Sequence, residues 1–141
     1  MIQKFAAKDY KVCPLEGQWW CANGEVSFIS QDPKTWNWKL MIRVPEFVTE
    51  KDRAEAVDQL REKGKPAQVS EVSLETIEEG RSVQVLHVGP YDRETETIAG
   101  MMEFARQRGL AFHGVHHEIY LSDPRRVLAA RLRTILRHPV R

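Results

Sequence analysis

Hydrophobic and polar residues alternate most cleanly over residues 35–44, where Trp36, Trp38, Leu40, Ile42 and Val44 share one parity and Asn37, Lys39, Met41 and Arg43 the other. Successive side chains on a strand point to opposite faces, so this stretch predicts a strand with one apolar face, ended by Pro45. Residues 15–20 (Leu-Glu-Gly-Gln-Trp-Trp) predict another, with turns at Ala22-Asn23-Gly24 and Gln31-Asp32-Pro33-Lys34. The period then becomes helical. Thr49 is a candidate N-cap for residues 50–62, whose narrow apolar stripe of Ala54, Val57 and Leu60 stops at Gly64 and marks a surface helix. Residues 69–78 alternate weakly, and Glu78-Glu79-Gly80-Arg81 turns the chain back into a strand at 82–88. After the turn at Gly89-Pro90-Tyr91-Asp92, a second helix capped by Thr95 or Asp92 runs to Arg108, with Ile98, Met101, Met102, Phe104 and Ala105 as a broad apolar face. Residues 1–13 form an entry segment, and a last strand is expected over 132–136.

The stretch that carries chemistry is His116-His117-Glu118-Ile119-Tyr120-Leu121, stopped by Ser122-Asp123-Pro124. Ile119, Tyr120 and Leu121 favour extended backbone, and proline cannot donate to a ladder. Parity puts His117, Ile119 and Leu121 on one face, which reads as core, and His116, Glu118 and Tyr120 on the other. A lone glutamate is most often solvated. Held beside aromatic surface, however, a carboxylate either attracts an organic cation or activates a water, because partial burial raises its basicity.

The remaining composition narrows the function. A chain of 141 residues with 42% hydrophobic and 29% charged residues is an ordinary globular domain, so residues 1–141 are read as one. A net charge of +1 implies no nucleic acid partner, and Arg125, Arg126, Arg131, Arg133, Arg137 and Arg141 lack neighbouring aromatics for base stacking. Cys13 and Cys21 match neither a CxxC pair nor a zinc knuckle, and two thiols without a signal sequence fit a reducing cytoplasm. His87 has no second His or Cys at metal spacing; it reads as a core or interface histidine, and no metal or cofactor is expected. No stretch approaches a membrane span.

Two internal echoes run through the chain. The preferred one sets Leu15-Glu16-Gly17-Gln18-Trp19-Trp20 against His117-Glu118-Ile119-Tyr120-Leu121, each an expected strand with an acid near its start and an aromatic soon after. The expected fold is therefore α+β: an antiparallel sheet with helices, built from duplicated strand-helix-strand-strand modules, the first lacking its opening strand and helix.

These strings, together with Trp36-Asn37-Trp38 through Met41, Pro45-Glu46-Phe47-Val48-Thr49, residues 83–92, His116 to Arg126 and residues 132–140, make the chain resemble the GyrI-like small-molecule-binding proteins. That family is similar to the effector-binding domains of multidrug-responsive regulators. The resemblance implies a ligand cleft between two related modules and, for some standalone members, a hydrolase that protects the cell by opening the strained ring of cyclopropanoid genotoxins. It points to Glu118 as the acid that positions water and to Tyr120 or Tyr91 as the hydroxyl donor. Trp19, Trp20, Trp36, Trp38, Phe47, Met101 and Met102 are candidates to sandwich a small hydrophobic or aromatic ligand, with His87 also lining the site. The rival reading is binding without chemistry, in which Glu118 or Glu16 neutralises a lipophilic cation in an aromatic cage, each desolvated contact contributing about 2 kcal/mol. Contact with DNA gyrase is suggested by the family name alone. Because related proteins begin with a further strand and helix, a homodimer is expected to supply the missing wall at the edge beside Trp19 and Trp20.

Overall fold

The computed structural model describes residues 2–5, 8–21 and 36–141. Its packing separates Met1–Cys13 with Arg43–Glu78 from Pro14–Ile42 with Glu79–Arg141.

In the first of these units, the entry segment pairs with itself as an antiparallel hairpin of β1 (Ile2–Phe5) and β2 (Lys8–Lys11). Helix α1 (Glu50–Glu62) begins where the polar pattern places it. Thr49 accepts a hydrogen bond from the Asp52 backbone N–H, and the Asp52 carboxylate accepts one at 2.7 Å from that of Thr49. Two orphan donors of the first turn are thereby satisfied. No residue of α1 is buried, as its narrow stripe implies. The weak alternation over 69–78 does not become a strand: Ala67–Glu71 is a 3-10 helix, and Arg53 of α1 donates to the Val72 carbonyl at 2.9 Å. Val69, Leu74 and Ile77 do not share a parity, so an extended segment would have no apolar face to bury.

The second unit is a five-stranded antiparallel sheet of β3 (Leu15–Cys21), β4 (Trp36–Ile42), β5 (Ser82–Val88), β6 (His116–Tyr120) and β7 (Arg133–Pro139), in the order β4-β3-β6-β7-β5. The molecule is thus α+β. Strands β3 and β6, far apart in sequence, are central neighbours, and each is flanked by the strand that follows it. The expected turns at 22–24 and 31–34 lie outside the described residues. Helix α2 (Glu94–Arg106) packs Ile98 and Met101 onto Leu136 of β7, with Val83 and Phe112 alongside. Neither Thr95 nor Asp92 caps it: the N-cap is Arg93, which makes no side-chain cap, and the 3-10 turn Tyr91–Arg93 leads directly into Glu94.

One expectation about β6 is reversed. Glu118 pairs with Leu136 across the ladder, so the two project to the same side, and that is the side α2 covers. His117, Ile119 and Leu121 face away, and Leu121 is exposed. The apolar parity of this short strand is a weak guide because the helix decides which face is buried. β7 also runs past the expected 132–136, since Arg137 and His138 continue the ladder to β5.

Candidate active site

Helix α2 brings an acid of its own over the sheet. Glu94, the first residue of the helix, and Glu118 are both buried, and their carboxyls share a hydrogen bond. Two carboxyls in contact cannot both be ionised at little cost. Burial, then the Glu118 charge, then the shared hydrogen bond push Glu94 up to about 9, so it is protonated at neutral pH.

Other groups surround Glu118. His116 Nε2 lies 2.9 Å from its Oε2, and the Tyr120 hydroxyl is near enough to feel its charge. That hydroxyl in turn accepts the indole N–H of Trp19 at 3.0 Å. Burial, followed by the Glu118 charge, raises the Tyr120 phenol well above its ordinary range. Tyr91, 40% exposed, meets Tyr120 edge to face with ring centroids 6.2 Å apart.

Register settles which tryptophans accompany these groups. Gly17 pairs with Glu118 and Trp19 with both His116 and Trp38, so Trp19, Trp36 and Trp38 lie on the Glu118 face and Trp20 on the opposite one. Trp19 and Trp36 meet edge on at 6.5 Å, and Trp38 is 59% exposed, next to exposed Leu40 and Ile42.

The remaining candidates are placed elsewhere. Glu16 is on the face away from α2, where its carboxylate binds His117 Nε2 at 2.7 Å; Glu79 holds the other ring nitrogen at 2.7 Å and pairs with Arg137. His87 is buried, with Nδ1 against the Thr97 hydroxyl at 2.7 Å and Nε2 against the Pro90 carbonyl at 3.0 Å. Both nitrogens are committed to fixing the turn before α2. Met101 belongs to the core, Met102 is exposed on α2, and Phe47 lies in the other unit with its ring edge on to Tyr10. Among the described residues, no group of three or more His, Cys, Asp or Glu is placed to hold a metal ion, and no helix is long and apolar enough to cross a membrane.

Residues 35–141 match the family model of the GyrI-like small molecule binding domain. The chain belongs to the GyrI-like family. Solved structures of proteins from Listeria innocua resemble it over nearly its whole length. An uncharacterized conserved protein has a TM-score of 0.86 at 41% identity, over 96% of this chain and 67% of its own. Two structures described as a hydrolase have TM-scores of 0.84 and 0.83 at 37% and 39% identity, each over 99% of this chain and 68% and 69% of theirs. No curated protein matches.

In this GyrI-like chain, sequence reasoning missed Glu94 and left His116 without a role. Glu94 sits among the exposed polar residues Arg93, Thr95 and Glu96, as a solvated first turn would. Its one signal is an acid directly after the turn that leads into an amphipathic helix. Gly17, opposite Glu118, has a positional reason. An added Cβ would lie 3.0 Å from Trp19 Nε1 and 3.1 Å from the Tyr120 hydroxyl. Gly17→Ala is expected to loosen that hydrogen bond and cost about 1–3 kcal/mol. The check is near-ultraviolet circular dichroism with urea unfolding, and a spectrum and midpoint equal to wild type would refute it.

The acid pair also predicts a pH dependence. Glu94 has an ordinary value of 4.5 and holds its proton to about 9 when folded, so its contribution is intact below 4.5 and is lost as pH rises towards 9. Buried His138 does the reverse: burial first, then His116 and His113, lower it from 6.5 to about 3, so stability falls as pH drops through that window. Above pH 6.5 the unfolding free energy should therefore decline by up to about 1.4 kcal/mol per pH unit from Glu94. Urea titrations at several pH values should show Glu94→Gln flattening that slope; an unchanged slope would place the proton on another group.

Proposed function

We propose that this GyrI-like protein takes up flat hydrophobic small molecules against the Trp19, Trp36, Trp38, Tyr91 and Tyr120 side of the sheet and adds water to a strained, carbonyl-conjugated cyclopropane. The observation that carries this reading is the buried pair of acids, Glu94 and Glu118, beside the Tyr120 phenol and the Trp19 indole. The hydrolases from Listeria innocua, at 37% and 39% identity, support it.

In the proposed reaction, Glu118 takes a proton from water as its oxygen bonds to a ring carbon. The ring C–C bond breaks, and its electron pair moves through the conjugated system to the carbonyl oxygen, which is held by Tyr120 or Tyr91 and takes a proton from Glu94. Transfer of the new Glu118 proton to Glu94 along their shared hydrogen bond restores the starting state. Water is consumed, no oxidant or reductant is needed, and ring strain supplies much of the driving force.

A second reading is binding alone, favoured by the single negative charge that the acid pair places beside aromatic rings: a lipophilic cation would be retained without reaction. Incubation with a cyclopropanoid, followed by mass spectrometry for a product heavier by one water, separates the two. Product supports the hydrolase, whereas tryptophan quenching by quaternary amines without product supports the binder.

We further propose a cytoplasmic homodimer. Cys13 and Cys21 are both unpaired thiols, and β4 ends the sheet with Trp38, Leu40 and Ile42 exposed. A monomeric mass by light scattering at working concentration would exclude the dimer.

A further inference from the structure

A sheet that ends on an open strand leaves half of that strand's backbone groups without a ladder partner. At β5 the register fixes which half. The Arg81 carbonyl accepts from Val140 N–H at 2.9 Å, and Gly89 N–H donates to the Leu132 carbonyl at 2.8 Å, one bond at each end of the β5–β7 ladder. Hydrogen-bonded pairs of an antiparallel ladder recur every second residue, so Val83, Val85 and His87 also turn their backbone groups towards β7. Ser82, Gln84, Leu86 and Val88 turn theirs to the side where the sheet ends. Among the described residues, none of those N–H and C=O groups has another backbone partner.

This edge carries none of the features that usually guard one. Residues 82–88 hold no proline and no charged side chain, their ladder to β7 has no bulge, and Val85, Leu86 and Val88 are exposed. At the opposite end of the sheet, β4 has Lys39 in its middle. Gly80, in the left-handed region with φ 69°, and Pro90 bound the open stretch of β5.

We infer that β5 is where two copies of this chain meet, antiparallel about a twofold axis at Val85, so that one sheet runs through both. The outward positions are symmetric about Val85, as a twofold axis requires. With Val85 opposite Val85, Ser82 of one copy faces Val88 of the other and Gln84 faces Leu86, and every outward N–H and C=O of both strands finds a partner. A slide of two residues in either direction leaves Ser82 or Val88 over; a slide of one sets outward groups against residues already bonded to β7. Arg81 falls opposite Gly89, so no like charges oppose each other, and exposed Leu86 and Val88 each gain a facing side chain. The inference rests on the homodimer reading and deepens it by naming the shared edge, β5 and not β4. The edge bearing Trp38 then stays open in each copy, on the side proposed to take the ligand.

Two cysteine variants and one proline variant test this. Across the axis the Val85 Cα atoms would be about 4.5 Å apart, within disulfide reach, whereas those of Gln84, staggered along the strands, would be more than about 7 Å apart. After mild oxidation Val85→Cys should run mostly as a reducible dimer on a denaturing gel, and Gln84→Cys should stay at the background that Cys13 and Cys21 give in the unchanged chain. Leu86→Pro removes only an outward N–H, so it should keep the wild-type far-ultraviolet circular dichroism and halve the mass read by light scattering. A reducible dimer no more abundant in Val85→Cys than in Gln84→Cys overturns the inference, as does a dimeric mass in folded Leu86→Pro. Should the proline variant not fold, the cysteine pair still decides. A dimeric wild type with neither effect would keep the homodimer and move its interface to another edge. A monomeric wild type at working concentration would remove both, and leave the β5 edge to an extended peptide of another protein.

Discussion

Glu118→Gln is expected to lower the single-turnover rate of ring opening by about 10²- to 10⁴-fold while leaving the fold and the capture of ligand intact. Glutamine keeps the volume of the side chain and an oxygen that can still accept a hydrogen bond, so the aromatic surroundings have no reason to move. What it lacks is an oxygen able to take a proton from water. It also cannot pass a proton to Glu94, and in the proposed cycle that removes the route by which Glu94 regains its proton. Rapid-quench mass spectrometry of the product, alongside tryptophan quenching by the same ligand, checks both halves. Product at the wild-type rate would remove Glu118 from the chemistry.

On the opposite face of the same strand, His117→Leu should cost about 3–5 kcal/mol of stability. His117 bridges two carboxylates, Glu16 on β3 and Glu79 just before β5, with the three side chains only 4%, 12% and 15% exposed. Removing the ring leaves Glu16 buried with its His117 contact gone, while Glu79 keeps Arg137 at 3.2 Å. Most of the loss should therefore trace to Glu16, and adding Glu16→Gln to His117→Leu should recover part of it, because a neutral amide costs less to bury than an unpaired charge. Urea unfolding measures both. A loss below about 1 kcal/mol would show the cluster to be no stronger than an exposed ion pair.

Both faces of β6 were visible in the sequence as an alternation, but their meaning was not. Ile119 and Leu121 made one parity look like core, yet α2 packs on the side bearing His116, Glu118 and Tyr120, while His117 is buried on the other side against Glu16 and Glu79. Strand parity states which residues travel together; it cannot state which group meets a helix, because that depends on where α2 packs. The tryptophans divide in the same way. Adjacent Trp19 and Trp20 must face opposite sides, yet only the pairing of Gly17 with Glu118 decides that Trp19 is the one beside Tyr120. Glu94 was hidden for a related reason: at the head of a helix, among exposed polar neighbours, it has the local pattern of a solvated acid, and burial comes from a strand more than twenty residues later in the chain.

By itself the amino-acid order determined what depends on near neighbours: the extent of α1 through its N-cap at Thr49, the positions of most strands through alternation, the α+β class, and Glu118 as an acid set beside an aromatic. Tertiary structure alone decided what depends on distant segments meeting. It put Glu94 against Glu118, gave His116 and His117 to separate networks, and withdrew His87, Glu16 and Met101 from the acid pair. The physical reason is the same in each case. Local propensity acts through bonds a few residues apart, whereas a buried charge acquires its partner, and with it the location of its proton, only when the sheet and helix have closed around it.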